Sequence, residues 1–332
     1  MTMPRPTLIV LTPVKNEAWI LDRFLAVCSQ FADLILIADQ QSTDGSREIA
    51  ARWPKVALID NPNPAYDEAD RQKLLIEEAR RRVPGPRAFL TLDADEIVAA
   101  DAPESPDWQA FLQAAPGTVL MLEKLDLYPT AEHCVRYDKP FPYGYVDDGA
   151  EHQPRWIHSY RVPVRPESPR FTPAGIKLLH YANLRPKTQR LKTCMYTVME
   201  NLKAPLRPRS ILSRRINYAR NKDWIGEGWT AASDPAWFLG WEAAGIEMFQ
   251  VSDSDESWQG WACLRAMARH GERRFWFDDI WDVDWEQIRQ RGLRLGITDL
   301  PAQPIECPPG PLLLAMEGAS FAAHFLKPFV GR

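Results

Sequence analysis

Long apolar runs, paired cysteines and a dominant sign of charge are all missing from this 332-residue chain. No segment approaches the roughly 20 apolar residues that cross a bilayer as a helix, which argues against a helical membrane protein. The five cysteines, Cys28, Cys134, Cys194, Cys263 and Cys307, are an odd number without Cys-x-x-Cys spacing. That disfavours a disulfide framework and a zinc site, and suits a reducing cytoplasm. A net charge of -4, from 40 Lys and Arg against 44 Asp and Glu, argues against a partner held by the whole surface, such as nucleic acid. No basic region followed by an apolar stretch is visible after Met1, so no signal peptide is expected.

What is present is ordinary for a globular protein: 45% apolar residues and 25% charged ones, enough to bury a substantial core. Leu8 to Leu11 reads as a first strand, and Ile20, Leu21, Phe24, Leu25, Val27 and Cys28 recur at helical spacing over Glu17 to Phe31. A second strand ends at Asp39, a helix is expected over Ser46 to Trp53, and Val56 to Ile59 makes a third strand. A helix over Asp67 to Arg82 leads through Pro84-Gly85-Pro86 into a strand that ends before Asp93. Alternating strands and helices with short connections predict a parallel, Rossmann-like sheet.

After Glu96 the pattern changes. Val119 to Leu125 reads as a strand, Tyr128 to Pro173 as loops with short antiparallel strands, Ile176 to Tyr181 as a last core strand, and Gln189 to Leu202 as a helix. The expected organisation is a catalytic domain over 1–204 and a mainly helical extension over 205–332. That extension is rich in tryptophan: nine of the chain's 13 lie between Trp224 and Trp285. No internal repeat or low-complexity segment appears.

Two acidic stretches about fifty residues apart, Asp39-Gln40-Gln41-Ser42-Thr43-Asp44-Gly45 and Asp93-Ala94-Asp95-Glu96, each follow an apolar run. Their carboxylates therefore fall at the carboxyl ends of buried strands, where open α/β sheets bind ligands. With Thr12-Pro13-Val14-Lys15-Asn16-Glu17 after the first strand, this ordered trio resembles the family 2 glycosyltransferases of GT-A fold. The resemblance covers the first third of the chain and extends faintly to His180-Tyr181. It implies a GT-A-like α/β fold and metal-assisted transfer of a sugar from a nucleoside diphosphate donor to an acceptor hydroxyl. Inversion at the sugar, and a place in glycan or glycoconjugate assembly, are part of that implication.

The resemblance also implies roles. Asp95 is the expected principal ligand of Mg²⁺ or Mn²⁺, which take oxygen donors and leave positions for phosphate oxygens. Strand alternation would turn Asp93 the same way, toward the ribose or a metal-bound water; the plainer reading is that both carboxylates cap a following helix. Asp39 would meet the base or ribose, although the neighbour that is commonly acidic in the family is here Gln40, which leaves the nucleotide open. Thr12, Pro13 and Val14 would pass the nucleoside with their backbone. Glu17 is either a nucleoside contact or a first-turn carboxylate favoured by the helix dipole. Arg71 stands where the family carries a basic or amide side chain; a surface ion pair is the alternative. His180 would complete the metal site, a role better suited to Mn²⁺, or touch the diphosphate, or else rest on backbone, and His152 and His158 are weaker candidates. Asp44 reads as part of a turn and helix cap.

The acceptor side is thinner. Asp147, Asp148 and Glu151 are the best remaining acidic cluster for a general base, with Asp148 first and a turn as the rival reading. Trp224, Trp229, Trp237 or Trp241 would serve as a sugar-stacking platform unless they are simply core. The basic stretch Lys187 to Arg220 would face a phosphorylated donor, a lipid-linked acceptor or a membrane surface, or would be a solvated helix. A glycan or another hydroxyl compound is an equally open acceptor, and an oligomer is possible. Two rivals remain: a sugar-1-phosphate nucleotidyltransferase, disfavoured because Thr12 to Glu17 has no glycine, and a non-catalytic carbohydrate-binding scaffold on the same fold.

Overall fold

The computed structural model describes residues 5–326 apart from 64–66, 138, 155–158, 204–209, 216–229 and 255–256. The chain divides into two compact units, 1–184 with 230–251 and 185–229 with 252–332.

The first unit is built on β1 (Thr7–Val14), β2 (Leu34–Asp39), β3 (Val56–Asp60) and β4 (Arg87–Thr91), all parallel in the order β3-β2-β1-β4. Residues 8–14 of β1 are buried without alternation, as expected of a strand covered on both faces. One face takes α1 (Ala18–Phe31), whose Ile20, Leu21, Phe24 and Leu25 pack with Leu8, Val10, Ile35 and Ile37. The other takes α3 (Glu68–Arg82), whose Leu75, Ile76 and Ala79 pack with Ile9, Leu11, Leu36 and Phe89. Asp67 caps α3 by accepting the Ala69 and Asp70 amides, and Arg80, Arg81 and Arg82 complement the helix dipole at its far end.

Beyond β4 the sheet continues through β8 (Phe141–Val146), antiparallel to β4, and β6 (Val119–Leu127), antiparallel to β8. Gly144 makes this possible, since a Cβ there would lie 2.8 Å from the Leu120 Cβ and 3.1 Å from the Phe89 carbonyl. The second half of β6 pairs with β7 (His133–Arg136) on one side and β10 (Lys177–His180) on the other, and β10 also pairs with β5 (Glu96–Val98). Small strands β9 (Arg170–Phe171) and β11 (Ala231–Ala232) complete the sheet. Among the described strands only β5, β7 and β8 run against the rest, so the central sheet is mostly parallel, as expected.

The second unit is helical, with helices Pro186–Lys203, Trp258–His270, Trp285–Arg294 and Gly310–Leu326. The first two pack closely because a Cβ on Gly260 would already stand 3.4 Å from Leu191. Among the described residues no helix is long and apolar enough to cross a membrane.

Two expectations are corrected. The units do not part at 204/205: the helix from Pro186 belongs to the second unit, and 230–251 returns to the first. Hydrophobic burial explains the return, since Trp237, Phe238, Trp241 and Met248 lie in the same core as α1 and β1. Nor do Trp237 and Trp241 offer a sugar platform, being 6% and 5% exposed, with the Trp241 Nε1–H donating to the Val98 carbonyl at 2.8 Å. Trp224 and Trp229 lie outside the described residues.

Candidate functional site

The ladder between β1 and β4 ends at Leu11 and Thr91, whereas that between β1 and β2 runs on to Val14 and Asp39. The carboxyl ends of β2, β1 and β4 thus lie side by side, about 10 Å from β2 to β4 by the spacing of neighbouring strands, where sheets of this kind bind ligands. Thr12, Pro13 and Val14 lie in β1 itself, buried and paired with β2. The Thr12 hydroxyl and Asp39 Oδ1 are buried with no hydrogen-bond partner among the described residues, although buried polar atoms are nearly always paired. Asp39 Oδ2 accepts from Arg47 at 2.7 Å and from the Ser42 amide at 3.2 Å.

The loops after β1 and β2 are laced together. Asn16 and Gln41 both adopt left-handed backbone, at φ 56° and 57°. The Asn16 amide donates to Ser42, the Thr43 amide to Asn16, and the Glu17 amide to Ser46, each within 2.9 Å. Asp44 accepts from Ser46 and, across the loops, from the Ala18 amide; Gly45 is the N-cap of α2 (Ser46–Ala51). Asp44 is therefore structural as expected, but it serves α1 as well as the turn. Glu17 accepts from the Trp19 indole at 2.8 Å, and Arg71 is half-buried near the start of α3, the helix that packs on β1 and β2.

β4 ends at Thr91, and Asp93 to Asp95 form the turn into β5. Strand alternation therefore does not orient the two carboxylates, and a strand, not a helix, follows them. Asp93 turns to Arg161, whose guanidinium spans Asp93 and Glu96. Asp95 has a different neighbour, its Oδ2 lying 3.8 Å from His180 Nε2. Asp93 and Asp95 are thus separated by their partners, and among the described residues no group of three or more His, Cys, Asp or Glu is spaced to hold a metal by itself.

Sequence reasoning missed the row that surrounds this turn. The register of β10 sets His180 opposite Glu96 on β5 and opposite Asp126 on β6, and directly opposed residues share a face. His180 Nδ1 lies 2.5 Å from Asp126 Oδ1, and the Tyr137 hydroxyl donates to the other Asp126 oxygen. Tyr143 donates to Glu96 at 2.8 Å, and Arg161 stacks over the Tyr143 ring. Burial pushes the Glu96 carboxyl up, but Arg161, His180 and Lys124 together hold it down at about 2. The same contest leaves Asp126 well below the ordinary carboxylate range, because His180 and Lys124 outweigh its burial. His180 is raised: burial and Lys124 lower it, and Asp126 and Asp95 overcome them. The only sequence signal for Asp126 was one polar residue in the apolar alternation Leu125-Asp126-Leu127.

Asp147 and Asp148 are elsewhere. Asp147 follows β8 opposite Arg87, at the amino end of β4, and its fully buried carboxylate pairs with Arg80 at 2.7 Å and Arg87 at 2.8 Å. Asp148 accepts from Arg165 at 2.6 Å and from Tyr145. Both are thus ion-paired at the end of the strand away from Asp93 and Asp95, which corrects their expected place beside the reacting sugar. Glu151 is exposed on a cavity of about 610 Å³ also lined by His152 and Arg165. Burial, with Lys73 and Arg80, pushes His152 down to about 4, so its ring is neutral at physiological pH. His158 lies outside the described residues.

The donor set fits a divalent ion only in part: a carboxylate and an imidazole nitrogen face each other, and further ligands would have to come from a bound molecule.

No protein-family model matches the chain, and no curated protein is significantly similar to it. Among solved structures, 4-diphosphocytidyl-2C-methyl-D-erythritol synthase matches 43% of this chain and 76% of its own at 12% identity and a TM-score of 0.32. Glucosyl-3-phosphoglycerate synthase from Mycobacterium tuberculosis, solved with Mn²⁺, uridine diphosphate and glucosyl-3-phosphoglycerate, matches 37% of this chain and 45% of its own at 15% identity and a TM-score of 0.27. Likenesses of this size carry no argument about function.

Proposed function

We propose that this chain is a nucleotide-sugar-dependent glycosyltransferase of GT-A type, with the nucleoside diphosphate lying across the carboxyl ends of β2, β1 and β4. The observation that carries the reading is the placement of two different polar sets at the two ends of that row of strand ends. Asp39 and Thr12 hold buried, unpartnered oxygens at one end, and Asp95 faces His180 at the other. The first set suits the hydroxyls and base of a nucleoside, the second a cation bound to its diphosphate.

Asp95 and His180 would hold that ion, Mn²⁺ or Mg²⁺, with phosphate oxygens completing its shell. The ion would neutralise the leaving diphosphate. The acceptor hydroxyl of a glycan, lipid-linked sugar or other alcohol would attack the anomeric carbon as the bond to the diphosphate breaks, with inversion. Arg161 holds Asp93 and Glu96, and so fixes the turn that carries Asp95. The acceptor proton would pass to solvent water, since Asp93 and Glu96 beside the turn are held by Arg161. A cytoplasmic location suits the five free cysteines, four of them buried.

The test is a thermal-shift screen of UDP, GDP, CDP and dTDP with Mn²⁺, Mg²⁺ or EDTA, on wild type and Asp95→Asn. Stabilisation by one nucleotide that needs the metal and is lost in Asp95→Asn is the expected result, followed by donor hydrolysis or transfer. Silence with every nucleotide and metal would leave a non-catalytic protein on this fold.

A further inference from the structure

The geometry points to Asp126 as a positioning residue that fixes the tautomer of His180 and so turns its Nε2 lone pair toward Asp95. This rests on the proposed metal role of Asp95 and His180, and adds a residue that neither sequence pattern nor resemblance singled out.

An ionised carboxylate only accepts hydrogen bonds, so the 2.5 Å contact between Asp126 Oδ1 and His180 Nδ1 requires the proton to sit on Nδ1. In the neutral ring, Nε2 is then the acceptor nitrogen, and that nitrogen is the one 3.8 Å from Asp95. Three features keep Asp126 in place. It is 5% exposed, it lies directly opposite His180 in the β6–β10 register, and its second oxygen is occupied by the Tyr137 hydroxyl. Lys124, two residues earlier on β6, stands 3.6 Å away and supports its charge. A carboxylate behind a histidine in this manner orients the ring and raises its strength as a donor to a cation. Glu96, on the other side of His180, is not equivalent: its oxygens are engaged by Arg161, Tyr143 and the Asp93 amide.

The test uses the full chain without metal, labelled with ¹⁵N in its histidines, at a pH where the His180 ring is neutral. Long-range ¹H–¹⁵N spectra report which ring nitrogen carries the proton, and the His180 signals are identified by their loss in His180→Gln. Wild type is expected to show Nδ1 protonated and Nε2 bare. Asp126→Asn should lose that signature, Asp126→Glu should restore it in part, and Tyr137→Phe, which removes only the supporting hydroxyl, should keep it. A bare Nδ1 in wild type, or an unchanged tautomer in Asp126→Asn, would overturn the assignment.

The second readout is binding of Mn²⁺ together with the nucleoside diphosphate that the thermal-shift screen selects, whose phosphate oxygens complete the shell, followed by electron paramagnetic resonance. Asp126→Asn should bind about 10- to 100-fold more weakly than wild type, the usual cost of removing a group behind a metal-ligating histidine. Equal affinity in the two proteins would also overturn it. If wild type fails to bind Mn²⁺, the proposed metal role of the site falls, while the spectra still decide whether Asp126 sets the ring.

Discussion

Asp44 accepts the backbone N–H of Ala18 at 2.9 Å, so the loop after β2 caps the helix after β1. The contact ties the loops after β1 and β2 together through one carboxylate. Asp44→Ala should cost about 1–2 kcal/mol, the range of a lost helix cap, with Asp44→Asn milder. Urea denaturation of both variants checks this; an unchanged midpoint in Asp44→Ala would show that the cap carries no weight.

Asp147 gives a prediction that separates structure from chemistry. Its burial raises the carboxyl, but Arg80 and Arg87 outweigh that and leave it below its ordinary value. A depressed carboxyl contributes stability above its unfolded pKa of about 3.9 and loses it as pH falls through the lower folded value. Wild-type stability should therefore fall off below about pH 4, and Asp147→Asn should be destabilised by about 3–5 kcal/mol at pH 7 because two arginines lose their buried partner. The difference should narrow in acid. An Asp147→Asn protein as stable as wild type at pH 7 but devoid of transfer activity would restore the catalytic reading of this residue.

Arg161→Met should behave likewise, for a different reason. It strips Glu96, 1% exposed, of the strongest of the charges that hold its carboxyl at about 2. The Glu96 pKa should then rise, so the variant gains stability relative to wild type as pH is lowered from 8 toward 4. Chemical denaturation at the two pH values reads the sign directly, and a gap that widens in acid would contradict the ion pairs described.

Trp241→Phe should lower stability by about 1–3 kcal/mol, through the lost bond to Val98 and the space left by the indole. Any nucleotide-induced thermal shift should remain. Loss of sugar or acceptor binding with unchanged stability would instead return Trp241 to the role of a stacking surface.

The strands and helices of the first hundred residues were legible because local pattern and burial agree there: β1, α1, β2 and α3 begin or end within a few residues of their sequence limits. The carboxyl-end location of Asp39 followed from the same logic. The orientation of Asp93 and Asp95 did not, because it depends on where β4 stops, and a turn breaks the alternation that a strand would impose. Arg161 and Asp126 were invisible for another reason. Their partners lie 68 and 54 residues away along the chain, and are joined only by sheet register and a returning loop. Asp147 and Asp148 misled because a pair of adjacent acids looks the same at either end of a strand, and only the pairing of β8 with β4 says which end it is.

The return of 230–251 to the first unit has a bearing on how the protein is made. A ribosome releases residues 1–184 first, yet Trp237, Phe238, Trp241 and Met248 of the same core emerge only after the first part of the second unit. The nascent sheet must wait with apolar side chains unmatched for the few seconds that translation takes to deliver them. The core of the first unit can therefore close only after residue 248 has emerged, late in translation of this chain.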